Sequence, residues 1–423
     1  MSATVQTAPE GLSPSARDSR VIGLIMAGHF TAHFHMLTVP PLFVFLAVEF
    51  NASYTMLGFA LTLFNIGAGV AQVPWGFLVD RFGPRTFLIG GLAVEGAALI
   101  AIGFTDHLPL FLGLMLIVGI ANSVFHPCDY TILAANVRDE RMGRAFSLHT
   151  FAGYAGGAVA PATMLLLYNL LDWRGAVIAS GLLSFVVIAP MLSNWSLLDG
   201  TPRTPARNDR TAPAIAGKSG FALLFSLPVV MCWLFYVAIA MSGNGLNNFS
   251  IPALQGRPEL AVSLLGWNLD TLTMAGFATT AYLFGSAAGI LFGGWIADRT
   301  PHHERVAAAG FSGAALLIAL VGLVAFSGPV LFVVMLIAGL LVGMIMPSRD
   351  MLVRAITPEG ATGKVFGFVS TGFNTGGALM PLVLGAVMDR GLPDWIFLIA
   401  AGCMLFAVAT VFGAKASRGV RKV

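Results

Sequence analysis

Runs of about twenty apolar residues recur along this chain, each closed by a polar connection, and a run of that length crosses the hydrocarbon core of a bilayer as an α-helix. Such runs begin near Val21, Tyr54, Thr86, Pro109, Arg144, Ala176, Phe221, Thr271, Val306, Val330, Lys364 and Trp395. Inside lipid every backbone N–H and C=O must be paired within a helix or a closed barrel. The short alternating strands and turn signals of a barrel are missing from the sequence. Composition weighs the same way. Of 423 residues 57% are hydrophobic and 10% charged, whereas about a quarter of a soluble domain is charged. The expected fold class is an all-α membrane protein with twelve transmembrane helices.

Most connections are short, such as "FNAS" (Phe50 to Ser53) and "TDHL" (Thr105 to Leu108), but one is long. Asp199 to Ser219, rich in Pro, Thr and Arg, falls between the sixth and seventh spans and reads as a linker. The chain then divides into a tail at 1–20, a six-helix bundle at 21–198, the linker at 199–219, a second bundle at 220–414 and a tail at 415–423. The bundles repeat each other. "GFLVDRFGPR" (Gly76 to Arg85) closes the second span and returns as "GGWIADRTPHHER" (Gly293 to Arg305) at the end of the eighth, so that Gly76 and Asp80 match Gly294 and Asp298. A second register is independent of this motif. Pro127 to Pro161 and Pro347 to Pro381 are equal intervals, within which Gly143 matches Gly363, Phe146 matches Phe366, and Gly156-Gly157-Ala158 matches Gly376-Gly377-Ala378. Six helices written twice in parallel give two pseudo-symmetric bundles, the internal symmetry of secondary transporters that bind substrate between their halves.

Basic residues sort to one side of the membrane. If the N-terminus is inside, then Arg81, Arg85, Arg138, Arg141, the linker's Arg203, Arg207, Arg210 and Lys218, Arg299, Arg305, and Lys415, Arg418, Arg421 and Lys422 are all inside, against Arg174, Arg257 and Arg390 outside. Basic loops stay cytoplasmic, so both termini are expected in the cytoplasm, with the chain in the plasma membrane (the inner membrane of a Gram-negative cell). The first twenty residues have no apolar core and read as a mobile tail, not a cleaved signal. Cys128, Cys232 and Cys403 fall inside spans and read as small apolar packers. The net charge of +3 comes largely from loops and points to no nucleic-acid partner. The expected partners are the bilayer, a small-molecule substrate and protons; the chain is expected to work as a monomer with no cofactor or metal.

The stretch Gly76 to Arg85 resembles the signature loop of the major facilitator superfamily, Gly-x-x-x-Asp-Arg-x-Gly-x-Arg, and with twelve spans and a central linker the resemblance covers nearly the whole chain. It implies that Asp80 meets the cytoplasmic start of the eleventh helix while Arg81 and Arg85 brace neighbouring helices, latching the halves when the protein opens outward. A carboxylate is stabilised at a helix N-terminus, and Gly76 permits close approach. The gating motif comprises Gly76, Asp80, Arg81, Gly83 and Arg85, with Gly294, Asp298 and Arg299 in the second copy. That copy has no glycine matching Gly83, which implies a weaker latch. Within the superfamily, "GIANSVFHP" in the fourth span and "GHFTAH" in the first resemble the fosmidomycin resistance proteins, drug exporters driven by protons. The chain departs from that pattern at Cys128, where the pattern has Glu after the His-Pro, and near His33, where it has an acid.

Ionisable groups inside a membrane face cavities and mark ion or substrate paths. His29 and His33 are one turn apart on the first span, and His126 and Asp129 are three residues apart on the fourth, so each pair shares a helix face. In the family that the signature resembles, spans one, four, seven and ten line the cavity. His126, Asp129 and His33 are therefore the candidates for proton coupling, and His29, His33 and His126 for substrate binding; each histidine can instead donate to a carbonyl and stay neutral. His35 and Thr31 occupy a different face. His149 and Glu95 are weaker candidates, Glu95 standing alone on a span placed at the periphery. On the tenth span Arg349 is the repeat counterpart of Asp129, and symmetry would aim the two at each other across the central axis; Arg349 can equally snorkel to water. The seventh span contains "SGNGLNNFS" (Ser242 to Ser250), read as an unwound stretch in which Asn244 and Asn248 share a face and bind substrate or form a hinge.

The function favoured is secondary active transport of a small anionic or amphipathic solute by alternating access, with proton-coupled export leading and uptake of an organic acid as the alternative. A remote alternative is an intramembrane metal-dependent hydrolase, since "HFTAH" has HxxxH spacing, but Phe30 stands where a zinc protease has its glutamate. A receptor or structural role has no appended soluble domain to support it.

Overall fold

In a computed structural model, residues 13–200, 223–264, 267–297, 299–357 and 362–419 are described. Among them eleven helices are long and apolar enough to cross a membrane, one of them of double length. That helix, Asp139–Ser193, has 55 residues, and at 1.5 Å per residue its length of about 80 Å is far more than a bilayer needs. It breaks at Asp172, which takes φ 63° and whose Oδ1 accepts from the backbone N–H groups of Arg174 (2.7 Å) and Gly175 (3.0 Å), capping the helix that follows. The fifth and sixth spans lie on either side of this break, and the crossings number twelve.

The other spans, in order, are Pro14–Met36 (extended by Phe43–Glu49), Tyr54–Phe82, Pro84–Gly103, Leu108–Asn122 with Phe125–Asn136, then Leu227–Leu254, Thr271–Ala297, His303–Leu323, Gly328–Ile356, Thr362–Asp389 and Trp395–Gly419. Two boundaries differ from expectation. The first span starts at Pro14, inside the stretch read as a mobile tail, because Ser13 accepts from Ala16 N as an N-cap and proline suits the first turn. Asp18 is then buried against Arg138 (2.8 Å) and Arg141 (3.5 Å). The fourth span is divided at Ser123–Val124 because Pro127 has no N–H and its ring excludes the carbonyl four residues earlier. A two-stranded hairpin, Val262–Leu264 with Trp267–Leu269, joins the seventh and eighth spans and was not foreseen. Residues 1–12, most of the linker (201–219) and the last residues of the chain lie outside the described residues.

The internal repeat is visible in the packing. A Cβ on Gly119 would lie 2.1 Å from Phe64 O, and one on Gly339 would lie 1.9 Å from Tyr282 O, so span four meets span two as span ten meets span eight. Likewise Gly156 fits against Phe30 O on the first span, and Gly376 against Val237 O on the seventh. Glycine at these crossings lets backbones approach closely, the interface chemistry of helices in lipid.

One face of the protein carries Pro14, Phe82, Asn136 and Leu227, and will be called the terminal face; the other carries Glu49, Tyr54, Arg174 and Asp389. The halves meet at this far face. Asp389, at the end of the eleventh span, accepts from Tyr54 N (2.7 Å), Thr55 N (2.9 Å) and Thr55 Oγ1 (2.5 Å) at the start of the second. A Cβ on Gly58 would lie 2.2 Å from Pro381 O, Thr62 Oγ1 donates to Ala378 O (2.7 Å), and Phe43 packs edge-on to Phe249. Towards the terminal face the halves part. Gly76 and Gly294 have nothing within 4 Å of a Cβ position, Phe77 is 74% exposed, and a cavity of about 390 Å³ opens between the fifth and eighth spans, lined by residues including Thr150, Tyr154, Leu291 and Gly294.

Candidate functional site

In the first bundle, the break before His126 and the close approach of the first and fifth spans bring five side chains together. The carboxylate of Asp129 is fully buried, its Oδ2 lying 2.9 Å from His149 Nε2 and 3.2 Å from His29 Nδ1. His29 stacks on His149 with ring centroids 3.7 Å apart, and His33 and His126 lie 4.6 and 5.1 Å from His29. His126 is exposed, as is Tyr130, which stacks on it at 5.8 Å. His29, His33, His126 and Asp129 thus cluster as the sequence indicates. The weak candidate His149 is in fact the nearest partner of Asp129, not His126. A sequence signal was present: His149 stands one turn before Gly153, whose missing Cβ makes room for His29 and His33 (2.8 and 3.0 Å from its position).

Glu95 does not stand alone either. It is fully buried, with His35 Nδ1 at 3.3 Å from its Oε2 and Asn122 Nδ2 donating to its Oε1 at 2.8 Å. His35 Nε2 lies 2.9 Å from Ser180 O. A carbonyl only accepts, so His35 Nε2 is the donor there. Asn122 also donates to Ala32 O (3.1 Å), which ties this network to the first span and to the break in the fourth.

In the second bundle a cavity of about 200 Å³ is lined by Arg349 together with Asn244, Asn247, Tyr154, Tyr282 and Phe373 among others. Arg349 faces the cavity and does not snorkel: its side chain is 16% exposed, and the guanidinium lies over the rings of Tyr236 (4.9 Å) and Phe373 (5.2 Å). Its ion-pair partner is Asp350 at 2.8 Å, which also accepts from Tyr236 OH at 3.0 Å. The pairing of Asp129 with Arg349 suggested by symmetry is not made in this state, because Asp129 is enclosed by histidines and Arg349 is held by its neighbour. The seventh span is a continuous helix through Ser242 to Ser250, not an unwound stretch. Packing outweighs the cost of two glycines, of about 1 kcal/mol each, and Asn244 Nδ2 donates to Ala240 O within the helix. Asn247 lines the cavity, whereas Asn248 is buried at 5% exposure and does not.

Of the gating motif, Gly83 takes φ 85° between the second and third spans, a conformation that favours glycine. Arg85 lies over the Trp195 ring (4.9 Å) and 3.9 Å from Asp199, bracing the third span against the end of the sixth. Arg81 lies over Phe82, and Arg299 lies over Trp295. Asp80 is exposed and has no ion-pair partner among the described residues. Asp298 lies outside the described residues.

Two six-helix bundles that meet at one face and part at the other, each holding buried ionisable groups, define a secondary transporter. The chain belongs to the Major Facilitator Superfamily, whose family profile matches residues 25–269 and 260–422. A relative described as the probable sulfoacetate transporter SauU of Cupriavidus necator is 23% identical over 420 residues, covering 93% of each chain. The multi-drug resistance efflux pump PmrA of Streptococcus pneumoniae is 24% identical over 353 residues, covering 83% of this chain and 84% of that one. A bacterial homologue of the human lysosomal transporter Spinster, solved in an inward-facing, occupied conformation, shares the fold with a TM-score of 0.73 at 14% identity, over 96% of this chain and 98% of that one. The protein is a transporter and not an enzyme, so the hydrolase reading falls.

Proposed function

We propose that the protein is a proton-coupled transporter of a small organic anion. The observation that carries this reading is Arg349 in the second-bundle cavity, backed by two aromatic rings and flanked by Asn244, Asn247 and Tyr154. A planar guanidinium with amide and phenol donors suits a carboxylate or sulfonate. Proton exchange is assigned to Asp129 with His126, His33, His29 and His149. Tyr154 lies five residues beyond His149 on the fifth span and lines the Arg349 cavity, so a helix movement felt by one site reaches the other. The excess of Lys and Arg in the loops on the terminal face supports cytoplasmic termini, and on that reading the parted face is the cytoplasmic one.

Uptake in symport with protons is the direction favoured. Bringing an anion into a cell against an inside-negative potential costs about 2.3 kcal/mol per charge per 100 mV, and a co-transported proton cancels that charge. The relative described as a probable sulfoacetate transporter, covered over 93% of its length, fits an organic-anion substrate. Export is the second reading, supported by the resemblance of "GIANSVFHP" to the fosmidomycin resistance proteins.

The test is a thermal-shift screen of the purified protein against carboxylates and sulfonates, followed by flux in proteoliposomes. A stabilising anion should lose its effect in Arg349→Ala. Asp129→Asn should abolish flux driven by a proton gradient while exchange without a gradient survives. Anion stabilisation unchanged in Arg349→Ala, or equal loss of both transport modes in Asp129→Asn, would overturn the respective assignment.

A further inference from the structure

Three polar atoms of the first-bundle cluster are buried with no hydrogen-bond partner: His29 Nδ1, Asp129 Oδ1 and His149 Nδ1. Buried polar groups in native proteins are nearly always satisfied, and of these three it is His29 Nδ1, facing Asp129 Oδ2 at 3.2 Å, that a bound cation would satisfy. The ligand atoms of His29, Asp129 and His149 all lie within 4.8 Å of one another, and so do those of His29, His33 and His126.

We propose that His29, Asp129 and His149 bind one borderline divalent transition-metal cation of the Zn²⁺, Co²⁺ or Ni²⁺ class, with the exposed His126 and its neighbour His33 as the approach to it. Bonds of about 2.0–2.2 Å to a tetrahedral ion set ligand atoms about 3.3 Å apart. The separations from Asp129 Oδ2, 3.2 Å to His29 Nδ1 and 2.9 Å to His149 Nε2, are near that value, while the stacked rings of His29 and His149, 3.7 Å apart, have to rotate open so that both nitrogens point at the ion. Two imidazoles and one carboxylate select these cations over Ca²⁺ and Mg²⁺, which take oxygen ligands. Cys128 supplies no ligand, since its Sγ points to Pro84 O at 3.3 Å. The single carboxylate leaves a net positive site beside an anion pathway. Because the ion and protons would occupy the same atoms, it should also block proton-coupled flux; that consequence rests on the proposed transport function, whereas binding does not.

The experiment uses full-length, tag-free protein in detergent, titrated with Co²⁺ and followed by the visible d–d bands of a four-coordinate site. One Co²⁺ per chain, displaced by Zn²⁺, is expected. Affinity should fall at least tenfold in His149→Gln and in Asp129→Asn. It should be unchanged in His35→Gln, whose ring is held by Ser180 and Glu95 outside the cluster, and in the surface variant His302→Gln, whose side chain is exposed. Absence of bands in the wild-type protein overturns the proposal, as does full retention of binding in both ligand variants or its loss in the surface variant. Should the ligand variants fail to fold, X-ray absorption of the Zn²⁺-loaded wild-type protein decides: imidazole scattering supports the site, and a shell without it overturns it. Since no flux is measured, the result is independent of whether proton-driven transport is found.

Discussion

Replacing Asp389 by alanine should tilt the protein towards opening at the far face. Asp389 belongs to the second bundle, and all three of its donors, Tyr54 N, Thr55 N and Thr55 Oγ1, belong to the first. The contact therefore exists only while the far face is closed. It adds, from the other half, to the second span's own N-cap, Ser53, which accepts from Met56 N at 3.2 Å: a carboxylate at a helix N-terminus satisfies free N–H groups and meets the positive end of the helix dipole. Loss of an N-cap costs about 0.5–2 kcal/mol and the dipole term about 0.3–1 kcal/mol, the lower values applying because Asp389 is exposed. With Ser53 still in place, a net loss of about 0.5–1 kcal/mol shifts a two-state balance roughly 2- to 5-fold. Spin labels at the exposed positions Val48 and Leu392, one in each half at the far face, report the balance as a distance distribution. Asp389→Ala should enlarge the long-distance population, with Asp389→Asn, which keeps a neutral acceptor, shifting it less. The tie between Gln255 Nε2 and Tyr54 OH (3.4 Å) remains in both variants and should keep some molecules closed. An unchanged distribution in Asp389→Ala would refute the view that this cap holds the far face shut.

Two further perturbations separate packing from polar chemistry. Gly156→Ala places a Cβ 2.1 Å from Phe30 O and should destabilise the protein by about 1–3 kcal/mol, whereas Gly76→Ala, with nothing within 4 Å, should leave the melting temperature level or raise it; equal effects would show that the close crossing is not limiting. Glu95→Leu leaves His35 and Asn122 unmatched in a buried place and should cost about 3–5 kcal/mol, but Glu95→Gln can accept from Asn122 and donate to His35 Nδ1 and should be mild. Comparable losses in the two Glu95 variants by denaturant titration would argue that polar partners for His35 and Asn122 are not what this position supplies.

The spans and the duplication were legible because lipid imposes them residue by residue: an apolar run of sufficient length needs no partner to be recognised. The repeat register was legible for a related reason, since the glycines that carry it, Gly156 and Gly376, are where backbones touch. The polar partnerships were not. Glu95 and His35 lie on different spans, and nothing in either segment marks that they meet. For Asn247 and Asn248 the limit is angular. Both lie within a turn of Asn244, and which one enters the cavity depends on the rotation of the seventh span, fixed in part by Gly245 seating against Leu384. The symmetry argument for Asp129 and Arg349 matched positions but not environments, since each side chain is taken up by partners within its own bundle.

The second and eleventh spans run antiparallel across the seam between the halves, so each span's C-terminal carboxylate lies at the end where the other span begins. Asp389 makes its contact in this state, and Asp80, at the opposite end of the seam, makes none among the described residues. If Asp80 caps the eleventh span when the terminal face closes, alternating access exchanges one carboxylate cap for its counterpart, keeping the two states within the few kcal/mol that a population shift requires. Tyr54 and Asp80 are 26 residues apart on one helix, about 39 Å at 1.5 Å per residue, so the two caps are independent and their effects should add. Asp80→Asn alone should then favour opening at the terminal face, Asp389→Asn alone opening at the far face, and the double variant should return the spin-label distribution close to that of the wild-type protein. Transport by the double variant should still be slower than wild type wherever closure of a face limits the cycle, since neither closed face keeps its cap. A double variant whose distribution matches either single variant would mean that only one of the two carboxylates acts as a latch, and the exchange mechanism would have to be abandoned.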